Sequence, residues 1–341
     1  MMLPLSCRRA LQGLDLRLRP QSRSAPSSNA LPPFPGAPRC HHAYAHAHAQ
    51  RSAMPLGLLL LAMLPATTAW ADTTGTATMA VDTEVKVLSD LRNRGISDSG
   101  RKPSLQLNLQ LAHESGLIAL AQLSTVSDKA FTDSDGVNLL LGTGYRWGDP
   151  DSWHFGVGLA KEFFPGARFD APHGIDLDAG APVDFRRTRY DTAYAVLELG
   201  WGKLEGRILN VISRTYRGAD TGGVCGQILA AAVDPTPAIE CYLRGDKNSR
   251  GSLLYDVSYK YDLTPTTTLN LHAGTQRIRH FKEADFSDYS VGVTHQRWGM
   301  SFTAEWVTTR THRPELFMIP DGSGWKRQDD DRLVVSVGYK F

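Results

Sequence analysis

Residues 333–341 read LVVSVGYKF. Leu333, Val335, Val337, Tyr339 and Phe341 are apolar or aromatic, and Val334, Ser336, Gly338 and Lys340 sit between them. Successive side chains of a β-strand point to opposite faces, so this stretch predicts a strand with one apolar face. The same alternation recurs upstream. KPSLQLNLQLAH (102–113) sets Leu105, Leu107, Leu109 and Leu111 against Gln106, Asn108 and Gln110. SLLYDVSYKYDL (252–263) sets Tyr255, Val257, Tyr259 and Tyr261 against Asp256, Ser258, Lys260 and Asp262. In TTTLNLHAGTQ (266–276), Leu269, Leu271 and Ala273 oppose Asn270, His272 and Gly274.

Further segments with this pattern lie at 82–94, 116–126, 136–147, 152–163, 189–200, 202–214, 286–298, 299–309 and 331–341. Together they predict an all-β protein of about twelve strands, each long enough to cross a bilayer when tilted. Helical periodicity is nearly absent. The connections alternate. Tight joins fall at 113–115, 147–151, near Trp201, at 263–265 and at Trp298–Gly299, while long polar loops fall between them, the longest at 164–188 and 215–252. A transmembrane antiparallel up-and-down barrel sorts its loops this way, with tight turns on the periplasmic side and long loops outside. An even strand number then puts both termini at the tight-turn end. The stretch 333–341 becomes the closing strand, paired with the first, because an open edge in hydrocarbon would leave backbone groups unpaired. Trp147, Trp153, Trp201 and Trp298 all flank tight turns, where an interfacial aromatic girdle would sit.

Charge divides the chain. Seven of its 37 bases and one of its 35 acids precede residue 72, leaving 30 bases and 34 acids beyond it. The barrel region is therefore slightly acidic, which gives no support to a nucleic-acid partner. Residues 56–64 (LGLLLLAML) and the small-x-small site Ala69-Trp70-Ala71 read as a signal peptide over 54–71, cleaved before Asp72. Residues 1–53, rich in Arg, Pro, Ser and Ala with HHAYAHAHA at 41–49, read as a non-native or unstructured extension. Two cysteines remain beyond the leader, Cys225 and Cys241, and in an exported chain they predict one loop-closing disulfide.

The residues VKVLSDLRNRGISDSGRKPSLQLNLQLAHESGLIALAQLST (85–125) resemble the amino-terminal signature of the TorF family of outer-membrane porins. That signature is an S-D-x-x-x-R-G-I-S stretch, then a polar loop, a proline and a glutamine-bearing strand. Ser89, Asp90, Arg94, Gly95, Ile96, Ser97, Pro103 and Gln106 match it, as does the Gly116-Leu117 pair, whereas Leu91 and Asn93 stand where aromatics are expected. The resemblance covers roughly 85–130 and implies an outer-membrane barrel. It also implies that the carboxyl-terminal aromatics Tyr339 and Phe341 serve as the signal read by the outer-membrane assembly machinery.

The predicted inward faces carry mixed charge: Glu84, Lys86, Arg92, Arg94, Arg146, Glu198, Glu205, Arg207, Asp256, Lys260, Glu305 and Lys340. In a water-filled lumen these would line the pathway and tune selectivity, and the expected function is passive diffusion of small hydrophilic solutes. The rival reading is that they pair across a narrow interior and block it. Arg92 and Arg94 form a candidate spot for small anions, and Gly142, Gly144, Gly156 and Gly158 would leave room in the lumen.

Other classes carry less. No nucleophile elbow, phosphate-binding loop or HExxH is present, so no enzyme is expected. A lipid hydrolase would need His280 or His312 to meet a serine such as Ser287 or Ser213. Asp170, Asp176, Asp178 and Asp184 in DAPHGIDLDAGAPVDF are spaced so that calcium is conceivable, yet they lack a calcium-loop pattern, and neither metal nor cofactor is expected. A receptor, adhesin or stabilising barrel would act through its long loops, including the tip GQILAAAVDPTPAIE (226–240). Expected partners are outer-membrane lipid and lipopolysaccharide, the assembly machinery and small solutes. A homo-oligomer is also compatible, since lipid-facing and subunit-facing apolar residues do not differ in kind.

Overall fold

The computed structural model describes residues 79–149, 151–322 and 324–341; the extension 1–53 and the signal peptide 54–71 lie outside the described residues. One closed antiparallel barrel is formed by β1 (Met79–Leu88), β2 (Ser104–His113), β3 (Leu117–Thr125), β4 (Val137–Gly148), β5 (Trp153–Phe163), β6 (Thr192–Trp201), β7 (Leu204–Val211), β8 (Leu253–Thr264), β9 (Thr267–Arg277), β10 (Phe286–Arg297), β11 (Met300–Thr311) and β12 (Arg332–Lys340). Each strand pairs with the next, and β12 returns to β1 with Val85 opposite Tyr339 and Val87 opposite Val337. LVVSVGYKF is the closing strand.

Register keeps the two faces separate around the wall. Val85 opposes Leu107, Leu107 opposes Leu123, and Leu123 opposes Leu139, all on the outer face. On that face Leu159, Leu199 and Leu333 are 57%, 56% and 54% exposed. A continuous apolar band of this kind is untenable in water and natural in lipid. At the tight-turn end Trp153 stacks on Trp201 with ring centres 5.6 Å apart, and Trp147 stacks on Phe155 at 4.8 Å. Trp298, at the β10–β11 turn, is 73% exposed. Among the described residues no helix is long and apolar enough to cross a membrane, and the strands do the crossing.

The opposite end is an ordered cap built from the connections 89–103, 126–136, 164–191, 212–252, 278–285 and 312–331. Its largest element was invisible in the alternation: α1 (Thr221–Ala231) and α2 (Thr236–Leu243) occupy the stretch that contains GQILAAAVDPTPAIE. Alanine and leucine favour the helix there, and the Asp220 carboxylate caps α1 by accepting from the Gly223 amide at 2.8 Å. The Cys225–Cys241 disulfide joins the two helices. They pack Ile228 and Ala238 onto Val211, Leu254 and Phe281, sealing the main core against the upper ends of β7 and β8.

Two other expectations shift. The first strand, expected over 82–94, ends at Leu88. The buried Asp90 carboxylate accepts from the Ser97 and Ser99 hydroxyls and from Arg92 Nε, which holds the chain in an inward turn instead of a longer strand. The acidic stretch 170–184 lies in a hairpin of Arg168–Asp176 and Ala181–Arg189, where Asp170 and Asp184 pair with Arg187 and Arg186. Two of the four carboxylates named from sequence are thus paired with guanidinium groups on the same hairpin.

Candidate functional site

The residues that match the S-D-x-x-x-R-G-I-S pattern form a small hairpin, Arg92–Asn93 against Ile96–Ser97, that folds into the barrel. Its two-residue turn is Arg94-Gly95, with φ of 50° and 78°. Positive φ at both central positions defines the tight hairpin turn, and it is an uncommon conformation for arginine. At Gly95 a side chain is also excluded by space, since a Cβ there would lie 2.2 Å from Thr309 Oγ1. The glycine lets the tip press against the wall of β10 and β11.

Three sets of charged side chains fix this hairpin. At its base, Arg92 donates to Asp90 (2.9 Å) and to the Asp330 carbonyl (2.6 Å), and Arg101 Nε donates to the Asp330 carboxylate (3.0 Å). Hydrogen bonds from Arg101 and Arg92 outweigh the effect of burial and hold the Asp330 carboxyl below the usual range. At its tip, Arg94 Nη1 reaches both oxygens of Asp256 at 2.6 and 2.7 Å, and Nη2 donates to the Tyr255 and Thr275 carbonyls. Behind it, Arg217 bridges Asp98 (2.7 Å) and Glu162 (3.1 Å). Burial pushes the Asp98 carboxyl up more than Arg217 pulls it down. Burial alone would lower Arg217, but the carboxylates of Asp98 and Glu162 hold it well above its ordinary value.

The hairpin separates two cavities. The outer one, about 650 Å³, lies among the long loops and is edged by Phe131, Phe169, Tyr190, Phe317 and Trp325. The inner one, about 560 Å³, lies in the barrel and is edged by Arg94, Arg146, Glu198, Arg207, Asp256 and His272. Asn93 and Tyr216 line both.

Ten of the sequence-predicted lining residues lie on barrel strands, and strand parity turns them inward, as it does Gly142, Gly144, Gly156 and Gly158. Arg146 and Arg207 share Glu198, with Arg146 Nε at 2.9 Å and Arg207 Nε at 3.1 Å, and Arg207 also reaches Glu205 at 3.0 Å. Lys86 pairs with Glu84 at 3.2 Å, and Glu305 accepts from Ser290. Lys340 stands opposite Glu84 across the seam. Lys260 and Lys340 make no ion pair among the described residues. Arg92 and Arg94 differ from the ten: they lie on the hairpin, where every arm of Arg92 and two of the three nitrogens of Arg94 are taken by protein acceptors.

Ser287 and Ser213 do not bond His280 or His312 among the described residues. Ser287 bonds Thr275, Ser213 bonds the Thr215 carbonyl, and His280 bonds the Asn248 carbonyl. A serine–histidine hydrogen bond, His113 Nδ1 with Ser115 Oγ at 2.8 Å, lies in the exposed tight turn after β2. Among the described residues no three His, Cys, Asp or Glu side chains are grouped to hold a metal ion. Sequence reasoning missed Asp98, Glu162, Arg217 and Asp288. Glu162 and Asp288 carried a usable signal, as polar members of the alternation in SWHFGVGLAKEF and FSDYSV.

A closed barrel with an apolar outer band, a polar and charged inner face and loops sorted by length is a membrane-spanning β-barrel, and in a bacterium its bilayer is the outer membrane. The chain belongs to the family described as "Bacterial protein of unknown function (Gcw_chp)", whose profile matches residues 72–341. That description does not name the TorF family, so the TorF resemblance rests on its motif alone. No curated protein sequence matches the chain. Among solved structures it is similar to the KdgM porin in complex with disordered oligogalacturonate (7% identity, TM-score 0.41, 77% of this chain and 99% of that one). It is also similar to the NanC porin (10%, TM-score 0.41, 76% and 98%) and to an outer-membrane channel from Pseudomonas putida F1 (12%, TM-score 0.35, 79% and 97%).

Proposed function

We propose that the protein is a passive channel for small hydrophilic solutes, with a pathway that runs from the loop vestibule past the 92–97 hairpin into the lower lumen. The observation that carries this reading is the pair of cavities on either side of the hairpin, both lined by Asn93 and Tyr216, inside a wall whose charged strand residues face inward. The lining residues named from sequence would then act as the pathway, with Arg94 at its narrowest level. Tyr339 and Phe341 would present the carboxyl-terminal strand to the assembly machinery, and the outer band would meet lipid and lipopolysaccharide.

The test is single-channel conductance of the protein in a planar bilayer, after heat-modifiable gel mobility has shown that the barrel is folded. Discrete steps, with ion selectivity altered by Arg94→Gln and by Glu305→Gln, are expected. A folded barrel that gives no steps would sink the channel reading. The clasps of Arg94 on Asp256 and of Arg217 on Asp98 favour, in that event, a non-conducting barrel that acts as a receptor or adhesin through its cap.

A further inference from the structure

The inner wall is two-toned. Along one row of facing Cα partners, Arg146, Glu198, Arg207 and Asp256 succeed one another from β4 to β8, with Gly156 between the first two. Gly274 comes next, and the Arg94 guanidinium occupies the room it leaves, since a Cβ there would be 3.0 Å from Nη2. Asp288 follows on β10, 4.0 Å from the same guanidinium. Basic and acidic groups thus alternate in equal number along this belt.

The adjacent row on the cap side is apolar or bare: Gly144, Gly158, Val196, Leu209 and Leu254. Beside it Leu120, which faces inward, lies over Gly142 and remains 39% exposed to the lumen. The apolar row and, of the charged belt, Arg146, Gly156, Glu198, Arg207, Asp256 and Arg94 edge the inner cavity. Barrel interiors are usually polar, so exposed leucine there leaves unburied apolar surface that an apolar guest would cover.

The belt also keeps binding capacity of both signs. The Arg207 side chain is 49% exposed. Arg94, whose side chain is 92% buried, edges the cavity and has its Nε without a hydrogen-bond partner among the described residues, and the Asp256 side chain is 24% exposed. A neutral belt gives no net field to concentrate an anion or a cation. It does offer fixed positive and negative groups at neighbouring positions beside a hydrocarbon wall.

We propose that the inner cavity binds a zwitterion with an apolar body, namely an α-amino acid with a hydrocarbon or aromatic side chain. The carboxylate sits at Arg207 and Arg94, the ammonium at Glu198 and Asp256, and the side chain against Leu120, Val196 and Leu209. The cavity's volume falls within the span of small-molecule sites, about 300–1,000 Å³. This proposal deepens the channel reading by naming the solute class, and it rests on that reading only for the route of entry.

Binding is measured separately from flux, by saturation-transfer NMR on the protein in detergent micelles with empty micelles as the control. Phenylalanine is the probe, and serine, 3-phenylpropionate and phenethylamine are the comparisons. Phenylalanine is expected to give the strongest transfer, weakened roughly tenfold by Arg207→Gln through loss of a charged hydrogen bond. Leu209→Asn is expected to remove its advantage over serine, with heat-modifiable mobility unchanged in both variants. Equal transfer to 3-phenylpropionate would overturn the zwitterion, equal transfer to serine would overturn the apolar contact, and no transfer would overturn the site. Conductance steps without a phenylalanine signal remove the site and leave the channel; a signal without steps does the reverse.

Discussion

The two ends of this barrel are built by different rules. At the tight-turn end, neighbours in sequence are neighbours in space: Trp201 and Leu204 flank one turn and pair directly. The charge pair nearest that rim, Lys203 with Asp262, is half exposed on both sides. At the cap end the holding contacts join residues far apart in sequence, such as Arg217 with Asp98 and Arg92 with Asp330, and those side chains are less exposed than the rim pair. A wall can be specified by a local repeat. A cap needs particular partners.

Breaking a buried pair from one side should have the largest effect. Arg217→Ala strands the carboxylates of Asp98 and Glu162, both more than nine-tenths buried, and is expected to cost about 3–5 kcal/mol of cap stability. Limited proteolysis of the long loops should become rapid while heat-modifiable mobility persists. Unchanged proteolysis would show that the cap does not depend on this clasp. The disulfide comes next. Cys225→Ser with Cys241→Ser releases a cross-link at a separation of 16 residues, worth about 3 kcal/mol by loop-closure entropy. Cleavage should then appear between α1 and α2 and leave the 89–103 loop intact.

Acid sharpens the comparison within the cap. Asp98, raised by burial, takes up its proton at a less acidic pH than an ordinary carboxylate. The folded state binds that proton more tightly than the unfolded chain does, so this step stabilises the fold even as the Arg217–Asp98 pair weakens. Asp330 is depressed despite burial, so its tether is fully present above the ordinary carboxylate pKa and is lost only as pH falls through its own lower value. Carboxyl ¹³C titration should therefore show Asp98 before Asp330, and the opposite order would contradict these environments. The smallest effect belongs to the rim: Lys203→Ala should leave urea unfolding unchanged, because that pair is open to water.

How much was legible follows the same division. The alternation in LVVSVGYKF and KPSLQLNLQLAH, the tight joins and the tryptophans beside them were enough to specify twelve strands, their faces and the seam. They also placed ten of the candidate lining residues at inward-facing strand positions, because parity is a property of the strand itself. Three things escaped. The alternation runs on past Leu88, and only Asp90's acceptance of two serine hydroxyls, seven and nine residues away, shows that the chain turns inward. The helices hide in a short stretch whose packing surface is supplied by β7 and β8. The clasps of Arg94 and Arg217 bridge separations of 162 and 119 residues, which no local pattern encodes.

The inward hairpin has a mechanical consequence. It springs from the β1 side of the tube, and its tip is bonded to β8 and β9 further round the circumference, through Asp256 and the Tyr255 and Thr275 carbonyls. A thin-walled cylinder is stiff along its strands but soft to flattening, and a rod fixed across its bore resists that deformation. The S-D-x-x-x-R-G-I-S motif thus spans the bore in the position of a cross-brace, tying the loop after β1 to β8 and β9.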